Sequence, residues 1–414
     1  MNRISTEILI VGGGAAGLSA AAEASTKANV TIVDDNPNLG GQVWRAELGQ
    51  VKAPEAKRLI EQADAGKVRI INSAQVFASN GEGRLLAETP DGTLELGFDK
   101  LIIATGARER FLPFPGWTLP NVLGAGGLQA LVKGGLKIEG KRVVVAGTGP
   151  LLLAVADYLN AKEAKVLLIA EQTSAAKLRR FARGLWRQPA KMIEAAALRA
   201  RLVGIPYKTD CWVTSAGVVS SQFLGSVNVF RNGITRTVEC DYLACGFHLV
   251  PNIELASLLG AKVENGFVAV DESQRTSLEN VYCVGEPTGI AGVESSIVEG
   301  KIAGLAATGE LDSARSHFAA RDRTRRFGDA LNKAFALRVE LKTLADMKTI
   351  VCRCEDVNYG RLIECENSRD AKLQTRCAMG SCQGRVCGPA TEFIFGWKPG
   401  TVRPPIFPVK LENL

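Results

Sequence analysis

The sequence predicts an α/β protein, with two βαβ units built on parallel sheet and a small helical part after them. Three observations carry that expectation. An apolar run, Glu7-Ile8-Leu9-Ile10-Val11, leads straight into Gly12-Gly13-Gly14-Ala15-Ala16-Gly17. A second run, Arg142-Val143-Val144-Val145-Ala146, leads into Gly147-Thr148-Gly149-Pro150-Leu151-Leu152. Six of the ten cysteines fall between Cys352 and Cys387, and none precedes Cys211. Composition sets the bounds. A chain of 414 residues suggests about three folding units and buries ample core without disulfide staples. At 46% hydrophobic and 22% charged it is neither disordered, collagenous nor a small disulfide framework. The net charge of +7 is spread thinly, with no basic run interleaved with aromatics, so no nucleic-acid partner is expected. No stretch of about 18 apolar residues predicts a transmembrane segment. The run before Gly12 lacks the features of a signal peptide, so a cytoplasmic chain with reduced thiols is expected.

In the first unit each part has a mechanical reason. The run before Gly12 is apolar and β-branched, as a strand buried on both faces requires. Gly12 permits the tight turn, Gly14 lets backbone approach a pyrophosphate, and Gly17 lets the helix sit close to the strand. An Ala-rich helix to about Lys27, opening at Ala15, offers its N-terminal N–H groups to the phosphates. The next strand, Val30-Thr31-Ile32-Val33, ends at Asp34-Asp35, where an acid can take both hydroxyls of a ribose.

Two later segments narrow the class. Lys100-Leu101-Ile102-Ile103-Ala104-Thr105-Gly106-Ala107 reads as a buried strand ending in a small-residue turn, and Val281-Tyr282-Cys283-Val284-Gly285-Glu286 as a strand followed by Gly and an acid. The order of these motifs resembles the two-dinucleotide-binding-domain flavoproteins, the glutathione-reductase-like group. The resemblance implies two Rossmann-like domains and FAD. It assigns the cofactor to Gly12, Gly14, Ala15, Gly17, Asp34, Asp35, Val76 and the Ala104-Thr105-Gly106 turn. It also places Gly41-Gln42 beside the isoalloxazine and Gly285-Glu286 at the ribityl chain.

The second unit departs from its fingerprint twice. Leu152 stands where the third glycine belongs, pushing helix from strand and narrowing the room for a pyrophosphate. The strand Val166-Leu167-Leu168-Ile169 is followed by Ala170, with Glu171 one place late and therefore expected on the wrong face for a ribose. In the flavoprotein group this domain binds NAD(P)H; here the fold is expected without that function. Disulfide reduction is excluded too, because no Cys-x-x-Cys occurs before residue 352 and Gly41 is followed by Gln42-Val43-Trp44-Arg45. Cys240 and Cys245 read as core residues.

The cysteine segment runs Cys352-Arg353-Cys354, then Cys365, Cys377, Cys382 and Cys387. A Cys-x-Cys pair is uncommon in structural zinc sites. Two separated close pairs suit a 2Fe–2S cluster, whose irons each need two thiolates. Gly380, Gly384 and Gly388 offer backbone N–H groups to the sulfurs. The stretch resembles the bacterioferritin-associated-ferredoxin-like 2Fe–2S domain, which implies Cys352, Cys354, Cys382 and Cys387 as ligands, Cys377 as spare and Cys365 as a core residue.

The expected organisation is residues 1–116 and 246–311 for the FAD domain, 117–245 for the inserted domain, 312–346 for a helical connector, and 347–414 for the cluster domain and an extended surface tail. Residues 172–202 read as a solvated amphipathic helix pair, and His248 and His317 as structural. Nearly the full length resembles the α (A) subunits of heteromeric amine dehydrogenases: opine oxidases, D-hydroxyproline and proline dehydrogenases, and hydrogen cyanide synthase. The resemblance implies an electron-transfer subunit carrying FAD and 2Fe–2S, with the C–N bond oxidised in a D-amino-acid-oxidase-like β subunit. It further implies FMN at the interface with that subunit in some complexes, a small ferredoxin-like γ subunit in others, and a downstream acceptor that could bring the complex to the inner membrane. No catalytic residue is assigned to this chain. The rival reading is a self-contained NAD(P)H-dependent FAD/iron–sulfur oxidoreductase.

Overall fold

The computed structural model describes residues 2–81, 83–185, 188–218, 222–398 and 400–414. The chain forms two compact units, one of Met1–Arg108, Pro251–Asp329 and Thr401–Leu414, the other of Glu109–Val250 and Ala330–Gly400.

The first unit is built on a seven-stranded sheet. Its parallel part runs Arg69–Ile71, Val30–Val33, Asn2–Val11, Gly92–Ile103 and Val281–Cys283, with Arg84–Thr89 and Gln75–Ser79 added antiparallel. Register explains why the motifs meet. Val11 pairs with Val33 and with Ile103, and Ile103 pairs with Cys283, so Gly12, Asp34, Ala104 and Val284 all emerge at the carboxyl edge. Ligands of open parallel sheets bind at that edge. The helices Ala15–Ala24 and Val293–Ala307 pack closely because Gly300 and Gly304 carry no side chain. A Cβ at either would collide with the carbonyl oxygen of Ala16 or Ala20. The C-terminal tail departs from expectation. It lies mostly exposed, as a surface tail should, but groups with the first unit rather than with the cysteine segment; there Ile406 is buried and its N–H bonds the Phe77 carbonyl. Its apolar residues Val402, Ile406 and Phe407 join the core beneath the sheet, and that burial outweighs the lack of regular structure.

The second unit has a five-stranded parallel sheet in the order Tyr207–Lys208, Lys165–Glu171, Arg142–Thr148, Tyr242–Phe247, Val122–Gly124. An antiparallel sheet of Cys211–Val218, Leu224–Arg231 and Ile234–Glu239 adjoins it. The helices Ala175–Gly184 and Pro189–Arg201 bury no residue, in keeping with a solvated pair. The connector is helical over Phe318–Ala334 and then runs extended before the short turn Val339–Thr343. The cysteine segment belongs to this unit, tied to it by Trp117, whose Nε1 donates to Ile350 O at 2.5 Å, and Arg110, which donates to Pro389 O at 3.0 Å. No helix among the described residues is long and apolar enough to cross a membrane.

Candidate functional site

The first cradle is made of backbone. Gly12 has φ +110°, and a Cβ there would collide with Ala104 O, so the turn is closed to any other residue. Gly14 caps the Ala15–Ala24 helix with no side-chain hydrogen bond, leaving the helix end to whatever anion faces it. Across from it lies Gly41, where a Cβ would come 3.0 Å from Gly14 Cα. Asp34 is buried, and its carboxylate accepts the N–H of Gly13 at 2.5 Å and that of Asn36 at 2.8 Å, which shapes the loop. Asp35 is exposed and accepts Asn36 Nδ2 at 2.7 Å, so its carboxylate keeps an open side. Val76 is buried in the strand that follows Ala74, whose N–H bonds Asp34 O at 2.9 Å. Thr105 is locked to Asn252 by reciprocal bonds, Thr105 Oγ1 to Asn252 O at 2.6 Å and Asn252 Nδ2 to Thr105 O at 2.9 Å.

Glu286 carries a buried oxygen that no described residue hydrogen-bonds. Its Oε1 accepts the Gly292 N–H at 3.0 Å, while Oε2 is shut off from solvent with no hydrogen bond. Burial pushes its carboxyl up to about 7. An orphaned buried oxygen beside a glycine turn fits the hydroxyl-bearing ribityl chain of FAD. The turn is held by Glu299, which sequence reading missed. Its carboxylate accepts the Gly285 N–H at 2.8 Å, Thr288 Oγ1 at 3.0 Å and Arg325 Nε at 2.8 Å. Arg45 was missed as well. It joins Asn36 Oδ1 at 3.1 Å to Gln42 Oε1 at 2.9 Å, linking two of the expected segments, and its buried Nε has no partner. A pH prediction follows from Glu286. With a folded-state value near 7 against an ordinary 4.5, the flavin-free chain keeps this contribution below pH 4.5 and loses about 3 kcal/mol as pH rises to about 7. Thermal melts across that range should show the loss, and Glu286→Gln should flatten it.

The second crevice corrects one expectation and strengthens another. Glu171 is not on the wrong face. A β-bulge between Val166 and Leu168 absorbs one residue, so Glu171 pairs with Gly147 as a strand residue and turns toward the fingerprint loop. It is fully buried, accepting the N–H of Gly149 at 2.8 Å and that of Thr173 at 2.8 Å, much as Asp34 serves Gly13 and Asn36. Leu152 stands at the offset that Gly17 has in the first unit. It is fully buried in the helix–sheet core, and Gly149 takes φ +95° where Gly14 is at −79°. Two strand ends at the carboxyl edge are moreover covered by the chain itself. Thr148 Oγ1 donates to Phe335 O at 3.0 Å, Gln172 Nε2 to Ala336 O at 3.3 Å, and the Arg338 N–H to Gln172 Oε1 at 3.1 Å. Phe335 is buried against Phe181, and the Arg338 guanidinium lies over Trp212 at 4.1 Å. Residues 335–338 thus form a strap across the ends of the two strands where a nicotinamide dinucleotide would bind. No local sequence signal marks it.

Cys240 and Cys245 are buried as expected, their thiols pushed up by burial. The late cysteines converge. The sulfurs of Cys352, Cys377 and Cys387 lie within 4.8 Å of one another. Cys382 is hydrogen-bonded to Cys387 and to Cys354, which is exposed and accepts Ser381 Oγ at 3.8 Å. All four expected ligands therefore belong to one connected group, with Cys377 inside it. Hydrogen bonds from Cys377 and Cys387, joined by the N–H groups of Ala378 and Glu355, hold Cys352 below the usual thiol range. Cys387, then the N–H groups of Val386 and Gly384, hold Cys382 below the usual thiol range. Of the three glycines, Gly384 points its N–H at a sulfur. Gly380 makes room for Cys354, and Gly388 bonds Gly384 O within the turn. Cys365 is half-buried, its Sγ bonded back to Arg361 O. Converging cysteines with backbone N–H groups aimed at their sulfurs suit an iron–sulfur cluster.

Two parallel-sheet units, the first with an intact dinucleotide cradle, define a flavoprotein-type oxidoreductase. The chain belongs to the pyridine nucleotide-disulphide oxidoreductase family, which matches residues 6–303, and it is an oxidoreductase. That family supports FAD as the dinucleotide. The chain is 28% identical over 420 residues to the HcnB subunit of hydrogen cyanide synthase from Pseudomonas aeruginosa, covering 92% of this chain and 90% of that one. It is 28% identical over 467 residues to an opine oxidase subunit of Rhizobium meliloti, covering 99% and 87%. Both relatives are subunits of larger enzymes by name. In fold it is similar to L-proline dehydrogenase from P. horikoshii, with TM-score 0.71 and 17% identity, covering all of this chain and 80% of that one.

Proposed function

We propose that this chain is the electron-transfer subunit of a heteromeric flavoprotein dehydrogenase or oxidase that oxidises the C–N bond of an amino acid or opine. Bound FAD and a 2Fe–2S cluster would link a two-electron donor to a one-electron acceptor. The backbone around Gly12, Gly14, Ala15 and Gly17 takes the pyrophosphate, and Asp35 takes the ribose while Asp34 fixes the loop. Gly41-Gln42 and the Ala104–Gly106 turn border the flavin, and Glu286 accepts a ribityl hydroxyl. Cys352, Cys354, Cys382 and Cys387 hold the cluster. The substrate is oxidised in a D-amino-acid-oxidase-like partner, and an FMN at the contact between the two proteins belongs to the same reading.

The observation that carries this reading is the strap of residues 335–338, bonded to Thr148 and Gln172 across the second crevice. With those two strand ends covered by its own chain, the second crevice offers no open berth for a nicotinamide donor among the described residues, and on this reading electrons come from elsewhere. The names of the relatives, subunits of hydrogen cyanide synthase and of opine oxidase, support a partner subunit and an opine or amino-acid substrate class. The complex isolated from its native cell tests the reading. Anaerobic addition of an opine, a D-amino acid or proline should raise the electron paramagnetic resonance signal of a reduced cluster, whereas NADH and NADPH should not. A signal raised by NADPH alone would favour the self-contained reductase.

A further inference from the structure

This inference rests on the 2Fe–2S reading and concerns the fifth thiol. A 2Fe–2S cluster has four protein ligands, yet five cysteines are gathered here. Cys377 is 4% exposed, and its sulfur stands within 4.8 Å of both Cys352 and Cys387. Cys354, the outer half of the Cys-x-Cys pair, is exposed.

The placement of Cys377 is built into the backbone. The helix Ser368–Thr375 ends in Arg376 at φ 67°, and Ala378 is again at φ 67°, so two non-glycine residues flanking the cysteine sit in the left-handed region. Such residues are strained and persist only where the surroundings impose them. Here the Cys377 N–H bonds Thr375 Oγ1 at 3.2 Å, and Arg376 Nε meets Glu355 Oε2 at 2.8 Å, one residue beyond Cys354. The turn that aims Cys377 inward is thereby fastened to the strand end that carries the exposed ligand.

We propose that Cys377 is a reserve ligand, able to take the iron position of Cys354 when that thiolate is lost. Thiolates bonded at about 2.3 Å to one tetrahedral metal lie about 3.8 Å apart. A sulfur already within 4.8 Å of Cys352 and Cys387 has about 1 Å to travel. In the exchange the Cys377 sulfur–iron bond forms and the Cys354 sulfur–iron bond breaks. The Cys377 thiol gives up its proton, the departing Cys354 thiolate takes one up, and the iron keeps its oxidation state. The consequence is a cluster that survives damage at its most exposed ligand.

The test uses the full chain, purified anaerobically as wild type, Cys354→Ala, Cys377→Ala and the double variant. Iron, acid-labile sulfide, visible absorption and the resonance spectrum of the reduced cluster are the readouts, with bound flavin and thermal melting as checks on folding. Wild type and Cys377→Ala should each carry about two irons per chain. Cys354→Ala should keep at least about half of that iron with a shifted spectrum, and the double variant should lose it. If Cys354→Ala is as empty as the double variant while folded, or if Cys377→Ala alone empties the site, the reserve role is wrong and the 2Fe–2S reading stands. Absence of iron from the wild type would overturn both.

Discussion

Gly14→Asp should leave the chain folded and strip it of FAD. Gly14 sits at φ −79°, and a Cβ there meets nothing nearer than Gly41 Cα at 3.8 Å, so a side chain fits without strain. Asp is a favoured N-cap residue and would satisfy the free N–H groups of the Ala15–Ala24 helix. Those are the groups a pyrophosphate needs. A carboxylate about 4 Å from a phosphate charge costs about 4 kcal/mol at an effective dielectric constant of 20. FAD affinity should fall at least a hundredfold, about 3 kcal/mol, with a melting temperature close to that of flavin-free wild type. Flavin titration and circular dichroism check the two halves separately. Retention of FAD at wild-type affinity would show that the dinucleotide does not approach Gly14.

The second large effect concerns the cysteines. Replacing both Cys382 and Cys387 with Ala should remove the cluster entirely while FAD remains. Cys387 is the hub of the group, near Cys352 and Cys377 on one side and hydrogen-bonded to Cys382 on the other. Only three thiols of the group would remain, too few for two irons. The FAD cradle lies in the other compact unit, so flavin content should match wild type. Iron analysis and visible spectroscopy read both outcomes. Full iron content in the double variant would place the metal elsewhere.

What could be read from the sequence was what depends on local spacing. Gly12, Gly14, Gly17 and Asp34 stand at fixed offsets from two apolar strands, and parallel register then brings Ala104 and Gly285 to the same edge. Long-range placement was not legible. Counting residues put Glu171 on the wrong face, because a bulge at Val166/Leu168 leaves no mark in an unbroken apolar run. The strap at residues 335–338 bonds Thr148 from 187 positions away, and nothing in Phe335-Ala336-Leu337-Arg338 announces its target. Glu299 reads as one more helix acid until Gly285, Thr288 and Arg325 are seen around it. The resemblance implied that Cys377 is spare, and only the fold brings it against Cys352. Leu152 in place of the third glycine was legible because it too stands at a fixed offset from its strand.

The central claim is that electrons do not enter this chain from a soluble nicotinamide. Mixing the purified flavin-loaded chain with excess NADH or NADPH without oxygen tests it most directly, with the visible flavin band as the reading. The strap over Thr148 and Gln172 predicts an oxidised band that persists for minutes in both reductants and disappears on adding dithionite. Bleaching within the mixing time by either nucleotide would contradict it.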